Sequence, residues 1–303
     1  MSAFPVSVVI PTRDRPAQAA AAVRSALAQT GVDVDVWVVD DGSVRPLELA
    51  AGLGRDPRVH LVRLARSCGP ASARNTGVAA STGERVAFLD DDDRWRPGCL
   101  AHLAAALDGA GDDVAMVDGG FELWDGGRLV LRHLPDPRRD LPRRLLEHPS
   151  IVPSTVLVRR AALLAVGGFD PTLQRAEDWD LWLRLTDRYR VEAVPVVVAD
   201  RARQPVDPAV MLRTYELFVA RLEPRLRGLA APERRRVEAA HLFDRGVLLA
   251  GLGRPAEARV ALWRAWRQSP RRWRPLLHLG RTVVGEGAWT TGARLVRRFT
   301  GPG

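Results

Sequence analysis

The first third of the chain alternates between short apolar runs and helical patterns, and this alternation constrains the fold more than any other feature of the sequence. The apolar runs occupy 6–10, 34–39, 59–64 and 85–89. Apolar residues at helical spacing accompany them at 16–29, 70–80 and 98–107. Strands that alternate with helices in this way predict a parallel, doubly wound α/β sheet.

Polar residues follow three of the predicted strands directly. Thr12 lies just past the first strand, Asp40 and Asp41 close the second, and four consecutive aspartates at 90–93 follow the fourth. The carboxyl ends of parallel strands meet at one edge of a sheet, and ligands bind beyond that edge. We therefore expect these polar side chains to converge on one ligand site.

The four aspartates need a reason to be neighbours, because adjacent carboxylates repel one another. Magnesium and manganese prefer hard oxygen ligands and often take only one or two carboxylates, completing the shell with water and substrate phosphates. The alternative is that one or two of the aspartates cap a helix that begins near Pro97. A cap explains one or two carboxylates and not four, so we favour a divalent cation.

The next hundred residues have a mixed pattern of strands and helices. The predicted elements are strands at 115–123, 128–134 and 191–199, a strand running into a helix at 154–168, and a helix at 176–188. The last helix has acidic residues in its first turn, where the helix dipole favours them. A Pro- and Arg-rich stretch at 135–149 is predicted to be a bend. The first two thirds of the chain therefore predict a mixed, mostly parallel sheet flanked by helices.

Strand signals end near residue 207, and the rest of the chain predicts helices at 208–226, 232–251, 255–268 and 273–286. A faint period of 34 residues pairs Leu242 with Leu276, Gly246 with Gly280, Gly251 with Gly285 and Gly253 with Gly287. Helix–turn–helix units of this length resemble tetratricopeptide repeats in a degenerate form. Two units rarely stand alone, so we expect this region to dock on the main domain or to pair with another chain in a homo-oligomer.

These patterns divide the chain into a domain at 1–207 and an all-helical extension at 208–303. Positive charge is concentrated in the extension. Residues 1–220 carry 27 arginines against 30 acidic residues, whereas residues 221–303 carry 18 against 6. Such a basic surface is either simply solvated or meets an anionic membrane surface or an acidic protein partner. No nucleic-acid motif accompanies the charge, so nucleic acid is not an expected partner.

Several functional classes are excluded or disfavoured by composition. The chain contains no lysine, which excludes a Walker A phosphate loop and Schiff-base catalysis. No stretch approaches 18 uninterrupted apolar residues, so we expect neither a membrane span nor a secretory signal. Cys68 and Cys99 are too few for a disulfide framework and lack zinc-site spacing. We therefore expect a cytoplasmic protein with free thiols, at most peripheral at the inner face of the membrane.

Six short motifs stand in the order and spacing of family 2 glycosyltransferases with the GT-A fold. They are VSVVIPTRDRP (6–16), VVDDGS (38–43), ARNTG (73–77), FLDDDDRW (88–95), GGFD (167–170) and EDWDLWLR (177–184). The resemblance spans roughly residues 5 to 200. It implies a Rossmann-like GT-A domain with a nucleotide-sugar half at about 1–112 and an acceptor half at about 113–207.

The resemblance also implies a reaction. A sugar would pass, with inversion, from a nucleotide-sugar donor to an acceptor hydroxyl, assisted by Mn²⁺ or Mg²⁺. The acceptor would be a carbohydrate, a lipid-linked molecule or a small molecule, as in polysaccharide, glycolipid or natural-product glycosylation. Lewis-acid stabilisation of a leaving nucleoside diphosphate and removal of the acceptor proton by a carboxylate agree with such motifs.

Carried over by position, the motifs imply roles for individual residues. On the donor side, Pro11, Thr12 and Asp14 would line the nucleotide pocket, with Asp14 replacing the family's commoner asparagine. Asp41 resembles the carboxylate that meets the base of the nucleotide, and Asp40 resembles its structural neighbour. The ARN pair that flanks the donor would be formed by Arg74 and Asn75.

The remaining roles concern the metal and the catalytic base. Asp90, Asp91 and Asp92 resemble the DxD motif. Asp92 would ligate the metal, with Asp90 as the second ligand and Asp91 near the ribose, although Asp93 makes this register ambiguous by one residue. Asp178 of the ED motif resembles the catalytic base, and Glu177 is the alternative base. Simple enrichment of acids at a helix start is the competing explanation for that pair.

Two rival functions remain open. A sugar-nucleotide nucleotidyltransferase also pairs a Rossmann-like sheet with metal-binding aspartates, but it would want a Gly-rich loop and a nearby lysine after the first strand. A catalytically silent scaffold could instead use the helical extension for binding. Trp95, Trp179 and Trp182 are expected to pack in the core, and the alternative for Trp179 is a contact with the acceptor. The Gly167–Gly168 pair is expected to end a helix and turn the chain.

Overall fold

The computed structural model describes residues 6–49, 52–173, 175–204 and 207–284. The chain divides into two compact units. Unit 1 consists of Met1–Leu145 and Pro149–Gln204, and unit 2 consists of Leu146–His148 and Pro205–Gly303.

Unit 1 is built on one nine-stranded sheet. Its strands are β1 (Val6–Thr12), β2 (Val34–Asp40), β3 (Val59–Arg63), β4 (Arg85–Phe88), β5 (Arg94–Trp95), β6 (Val114–Asp125), β7 (Arg128–His133), β8 (Val156–Arg159) and β9 (Arg190–Ala202). They are ordered β3-β2-β1-β4-β8-β6-β9-β5, with β7 paired to β6. The four strands at the β3 end and the β6/β9 pair are parallel, whereas β5, β7 and β8 pair antiparallel. The predicted mixed sheet is confirmed.

Helices accompany this sheet in the order that the sequence predicts. They are α1 (Pro16–Leu27), α2 (Pro70–Ala80), α3 (Cys99–Gly109), α4 (Leu141–Glu147), α5 (Arg160–Ala165) and α6 (Glu177–Thr186). Two elements were not predicted. The supposed bend at 135–149 contains α4, whose Leu141 and Leu145 lie one turn apart and are buried. The strand β5 has two residues and exists only through its pairing with β9, which no local pattern reveals.

The core explains why the polar strand ends lie together. All residues of the apolar run 6–10 are fully buried, as expected for a strand covered on both faces. Helix α2 approaches β1 closely at Gly77, where a Cβ atom would lie 2.4 Å from Val9 Cγ1. The glycine of the ARNTG motif therefore allows α2 to pack directly on the central strand. This contact fixes the helix that carries Arg74 and Asn75.

Other expectations for unit 1 are confirmed. Trp95, Trp179 and Trp182 are buried, and the Trp95 indole donates to the carbonyl of Ser154 at 2.8 Å. Cys68 and Cys99 are free cysteines, the first exposed and the second buried. The Gly167–Gly168 pair follows α5 with φ of 85° and 66°, which only glycine adopts readily.

Unit 2 is helical throughout its described part. Its helices are α7 (Pro208–Arg227), α8 (Ala231–Gly251), α9 (Pro255–Gln268) and α10 (Arg274–Val284), as predicted to within a few residues. Gly246 of the faint repeat allows α8 and α9 to approach, because a Cβ atom there would lie 2.7 Å from Leu262 Cγ. Two further glycines of the repeat, Gly285 and Gly287, lie outside the described residues.

The helices of the described residues were compared with the length and apolarity that a membrane span requires. Within residues 6–49, 52–173, 175–204 and 207–284, no helix has both the length and the apolar run that a membrane span requires.

Candidate active site

The end of β2 carries a carboxylate that is committed to the fold. Asp40 is fully buried, and its two oxygens accept hydrogen bonds from the backbone amides of Ser43 at 2.8 Å and Leu47 at 3.1 Å. Arg63 on β3 adds a charged contact at 3.3 Å. Burial alone would raise the pKa of Asp40, but the hydrogen bonds from Ser43 and Leu47 and the Arg63 charge together lower it. Asp40 shapes the loop after β2.

Asp41 holds a second loop. Its carboxylate accepts from the Ser67 hydroxyl at 2.8 Å, from the Cys68 amide at 2.7 Å and from the Gly69 amide at 3.0 Å. These three donors lie immediately before α2, so Asp41 ties the end of β2 to the start of that helix. Each carboxylate oxygen has more than one acceptor site, so the side chain can hold this loop and still meet a ligand.

Asp14 links the ends of β1 and β2. Its backbone amide donates to the Ser43 hydroxyl, and its carboxylate accepts from the Val44 amide, both at 2.8 Å. Its φ of 55° lies in the left-handed region, which Asn and Asp enter more easily than other side chains. This conformation explains why an aspartate can stand where the related motifs carry asparagine. Pro11 lies in β1 and pairs with Val39 of β2, two positions before the exposed Arg13.

The aspartate run sits at the neighbouring strand end, as the topology predicts. Asp91 turns toward β1, where the Thr12 hydroxyl donates to its carboxylate at 2.7 Å. The Arg15 guanidinium lies 3.3 Å from Asp91 and 3.4 Å from Asp92. Burial is the main reason that the pKa values of Asp91 and Asp92 are raised.

Three members of the run turn toward a common point. One carboxylate oxygen each from Asp90, Asp92 and Asp93 lie within 4.8 Å of one another. Burial, reinforced by the Asp90 charge, raises the pKa of Asp93 to about 7. Clustered carboxylates that are costly to ionise are an environment in which a divalent cation supplies the missing charge. The donor set therefore fits Mg²⁺ or Mn²⁺, with Asp90 and Asp92 of the predicted pair joined by Asp93.

Asp93 is the most deeply held of the three. Its carboxylate accepts from the Ser154 hydroxyl at 2.7 Å, and Arg201 on β9 lies 3.2 Å away. The Ser154 hydroxyl also accepts from the Asp90 amide at 3.1 Å. Residues at the ends of β4, β8 and β9 thus together hold the aspartate run in place.

Arg74 joins the aspartate run to the ED motif. Its buried guanidinium donates to Asp90 and to Glu177, each at 2.6 Å, and lies 5.3 Å from the centre of the Phe169 ring. Burial lowers the pKa of Arg74, but the charges of Asp90 and Glu177 reverse that effect and raise it. One planar fork therefore fixes two carboxylates that are 87 positions apart in the sequence.

The ED motif begins α6 on a strained turn. Ala176 precedes it with φ of 60° and ψ of 19°, a left-handed conformation that is costly for alanine. The Asp178 carboxylate accepts only from the amide of Trp179, at 2.8 Å, among the residues that the structure describes. Burial and the adjacent Glu177 charge raise the pKa of Asp178 to about 7. A carboxyl with that pKa can take up a proton near neutral pH.

Asn75 is engaged with the turn that precedes α6. Its side-chain amide donates to the Phe169 carbonyl at 2.8 Å and accepts from the Phe169 amide at 3.0 Å. Gly168 passes so close that a Cβ atom there would lie 2.8 Å from the Asn75 oxygen. Asn75 therefore links the ARNTG and GGFD motifs through the backbone.

Sequence reasoning missed several site residues. Arg15 falls three positions after Thr12 in the first motif, and its position near a strand end was the only signal available. Ser154 and Arg201 contact Asp93 from 61 and 108 positions away, and no local pattern marks them. Their role depends on the pairing of β4, β8, β6 and β9, which single-sequence patterns do not give.

Comparisons with known proteins identify the family of this chain. The family model "Glycosyl transferase family 2" matches residues 7–167. A pre-mycofactocin glycosyltransferase of Mycobacterium tuberculosis is 36% identical over 212 residues, covering 66% of this chain and 43% of that protein. The succinoglycan biosynthesis protein ExoO of Rhizobium meliloti is 39% identical over 138 residues, covering 46% of this chain and 39% of that protein. The chain thus spans less than half the length of these two relatives.

Solved structures share the fold. The mannosyltransferase PcManGT from Pyrobaculum calidifontis, in complex with GDP-Man and Mn²⁺, has a TM-score of 0.61 at 22% identity, covering 92% of this chain and 80% of that chain. TarS residues 1–349 of S. aureus has a TM-score of 0.60 at 20% identity, covering 93% of this chain and 87% of that chain. The match of the family model to more than half of the sequence identifies this chain as a member of glycosyl transferase family 2.

Proposed function

We propose that this chain transfers a sugar, with inversion, from a nucleotide-sugar donor to an acceptor hydroxyl. The observation that carries the proposal is the double contact of Arg74, whose guanidinium lies 2.6 Å from both Asp90 and Glu177. This contact joins a cluster suited to a divalent cation to Glu177, whose neighbour Asp178 is suited to act as a base. A transferase of this kind needs both groups around one sugar.

The donor would lie across the ends of β1, β2 and β4. Asp14, Asp40 and Asp41 shape the loops that would enclose the nucleotide, and Asp41 is the one assigned to its base. Pro11 and Thr12 line the same rim, and Asp91 would face the ribose from beside Thr12.

The diphosphate would meet the cation cluster. Asp92 and Asp90 are the assigned ligands, and Asp93 lies within reach as a third. A bound Mn²⁺ or Mg²⁺ would supply Lewis-acid stabilisation of the charge that develops on the leaving diphosphate. Arg15, which now contacts Asp91 and Asp92, stands where its guanidinium can also meet a phosphate oxygen.

Asp178 would remove the proton from the acceptor hydroxyl. Its pKa of about 7 lets it accept a proton at neutral pH, and few donors compete for its oxygens. Glu177 is the alternative base, but its carboxylate is held by Arg74 at 2.6 Å. We therefore assign the proton transfer to Asp178 and the positioning of Arg74 to Glu177.

The acceptor is proposed only by class. Relatives include proteins of succinoglycan biosynthesis and a glucosyltransferase, of Escherichia coli, named for a diphosphoundecaprenol-linked sugar. A carbohydrate or lipid-linked acceptor is therefore preferred over a small molecule, with the enzyme acting on the cytoplasmic side of the cell envelope.

A thermal-shift screen tests the donor side of the proposal. UDP- and GDP-sugars are added with Mn²⁺, with Mg²⁺ or with chelator, and the melting temperature is compared. A donor at about 100 times its dissociation constant adds about 2.7 kcal/mol of stability, which raises the melting temperature by several degrees. The shift should require the cation.

Two variants make the screen decisive. Asp92→Ala should abolish both the cation-dependent shift and the hydrolysis of the donor that shifts wild type. Asp113→Ala is the matched control, because Asp113 is an exposed acid at the opposite edge of the sheet and pairs with Arg190 at 3.1 Å. A wild-type protein that shows no shift with any nucleotide-sugar and no turnover would instead support the silent-scaffold alternative.

A further inference from the structure

The last two helices in the described part of unit 2 expose large apolar side chains. Trp273, directly before α10, is 64% exposed, and Leu276 and Leu277 in its first turn are 42% and 38% exposed. Val260 and Trp263 on α9 are 52% and 45% exposed. Isolated exposed apolar residues are common, but five on two consecutive helices that pack together form a feature that needs an explanation. We call these five residues the α9–α10 surface.

The spacing of these residues places them together on the outward face of each helix. Positions 273, 276 and 277 follow the i, i+3, i+4 rule and share one helix face, while Pro275 on the other side of α10 is buried. Val260 and Trp263 likewise stand one turn apart on α9, opposite the buried residues Ala258, Ala261, Leu262 and Ala265. Helix α9 therefore buries one apolar face and exposes a second, and the first turn of α10 exposes Leu276 and Leu277.

Positive charge predominates in the sequence of these two helices. Residues 255–284 contain seven arginines and a single acid, Glu257. That acid is already paired with Arg254, at 2.6 Å. The Arg267 guanidinium lies 4.8 Å from the centre of the Trp263 ring, and Arg264, Arg271 and Arg274 are exposed.

We propose that the α9–α10 surface binds the surface of an anionic lipid bilayer. Helices that lie in the interface insert Trp and Leu side chains to the level of the acyl boundary and keep arginines among the headgroups. Tryptophan in particular is favoured at that depth. The excess of positive charge over 255–284 complements a negatively charged lipid leaflet.

Other partners fit this combination less well. A nucleic acid would be met by the arginines but would leave Leu276 and Leu277 without a role. An acidic protein would need a patch that is both apolar and negative around its whole rim, whereas anionic lipids provide both properties in one surface. The proposal does not depend on the glycosyltransfer reaction, and binding to lipid can be measured without a substrate.

The experiment is co-sedimentation of the full chain with vesicles. Vesicles of phosphatidylglycerol mixed with phosphatidylcholine are compared with vesicles of phosphatidylcholine alone, at low and high salt. We expect binding only to the anionic vesicles, and weaker binding at high salt because the charges are screened.

Two double variants separate the apolar from the electrostatic contribution. Trp273→Ser with Leu277→Ser should weaken the partition coefficient at least about tenfold, since two inserted side chains are lost. Arg271→Gln with Arg274→Gln should weaken it about fivefold per arginine and should reduce its salt dependence. The matched controls are Leu217→Ser and Arg213→Gln on α7, which remove an exposed leucine and an exposed arginine elsewhere in unit 2 and should change nothing.

Thermal melts of the same variants without lipid test whether the substituted side chains are needed for the stability of the protein itself. Unchanged melting temperatures are expected, because the substituted side chains are exposed. A melting temperature lowered by several degrees would mean that this face is covered within the protein, and the proposal would be wrong. Failure of wild type to bind anionic vesicles, or equal losses in the α7 controls, would also overturn it.

Discussion

Carboxylates on two sides of the same sheet edge differ in what surrounds them. Asp14, Asp40 and Asp41 accept hydrogen bonds from backbone amides of the adjoining loops. Asp93 and Asp178 each accept one backbone amide hydrogen bond, from Ala202 at 3.3 Å and from Trp179 at 2.8 Å, but they lie near other carboxylates, and burial raises the pKa of each to about 7. We refer to the first three as the loop carboxylates and to the last two as the poised carboxylates.

The comparison separates two uses of one residue type. A carboxylate that receives several amide hydrogen bonds is stabilised as an anion and orders the backbone around it. A carboxylate that is buried beside another acid is destabilised as an anion, and it gains from a cation or a proton. The loop carboxylates therefore build the site, whereas the poised carboxylates are available for its chemistry.

The largest effect is expected for the proposed base. Asp178→Asn should lower the turnover of sugar transfer about 10²- to 10⁴-fold, the usual contribution of a general base. The same variant should melt higher than wild type at pH 8, because an amide in this site carries no charge to bury. The measurements are turnover with the donor found by the thermal-shift screen and a melting curve at pH 8.

Asp180→Asn is the matched control for that variant. Asp180 lies two positions further along α6 and makes a partly buried pair with Arg184 at 2.7 Å. It should keep turnover within a few-fold and should not raise the melting temperature. If Asp178→Asn retained wild-type turnover, or if it were less stable than wild type at pH 8, Asp178 would belong with the loop carboxylates.

Arg74 tests the connection between the cation cluster and the base. Arg74→Met leaves Asp90 and Glu177 without their shared partner, and breaking a buried ion pair typically costs about 3–5 kcal/mol. We expect a loss of that size in the free energy of unfolding, measured in urea. Arg190→Met removes an arginine from two exposed pairs and should cost less than about 1 kcal/mol.

A rescue variant sharpens this result. Arg74→Met combined with Glu177→Gln removes one of the two carboxylates left alone, so the double variant should be more stable than the single one. Two additive losses would mean that Arg74 and Glu177 do not interact energetically, contrary to their 2.6 Å contact.

The position of the site at the strand ends could be predicted from the sequence, but the contacts between its side chains could not. The strand ends at Thr12, Asp40 and Asp90 could be placed together because parallel strands share an edge, and the order of the motifs gave the family. The contacts of Arg74 could not be derived, since they depend on how α2 packs against β1 and how α6 returns to the sheet. Arg201 was missed for the same reason, because β9 reaches Asp93 only through long-range pairing.

The different orientations of the four aspartates could also be found only from the tertiary structure. Alternation along the run does not reveal that Asp91 turns to Thr12 while Asp90, Asp92 and Asp93 turn to one point. Likewise, nothing local marks Asp40 as a buried acceptor and Asp178 as an acid with a raised pKa. Those differences arise from which donors the tertiary structure brings to each carboxylate.

A loop carboxylate should affect stability without affecting cation binding. Asp40→Asn removes the charge that accepts from Ser43, Leu47 and Arg63, and it should cost about 1–3 kcal/mol of unfolding free energy. Asp92→Asn should cost less stability but should weaken Mn²⁺ binding by at least about tenfold. Urea unfolding and Mn²⁺ titration followed by electron paramagnetic resonance measure the two effects. Weakened Mn²⁺ binding in folded Asp40→Asn would contradict the division.

The last expected effect concerns the dependence of stability on pH. The pKa values of Asp93 and Asp178 are raised from 3.8 to about 7, so the folded protein holds their protons more tightly than the unfolded chain does. The stability that they contribute is fully present below pH 3.8 and is lost as the pH rises through about 7. The lowered pKa of Asp40 has the opposite sign, and its contribution is lost as the pH falls below 3.8.

These signs predict how the cation and pH act together. Between pH 5 and pH 8 the melting temperature of the metal-free protein should fall as the poised carboxylates ionise. Mn²⁺ binds the deprotonated carboxylates, so it should raise the melting temperature more at pH 8 than at pH 6. Asp93→Asn should flatten the fall, whereas the exposed Asp113→Asn should leave it unchanged. A melting temperature that rises with pH in the absence of metal would show that the buried acids are already stabilised as anions, and the poised group would then be no different from the loop carboxylates.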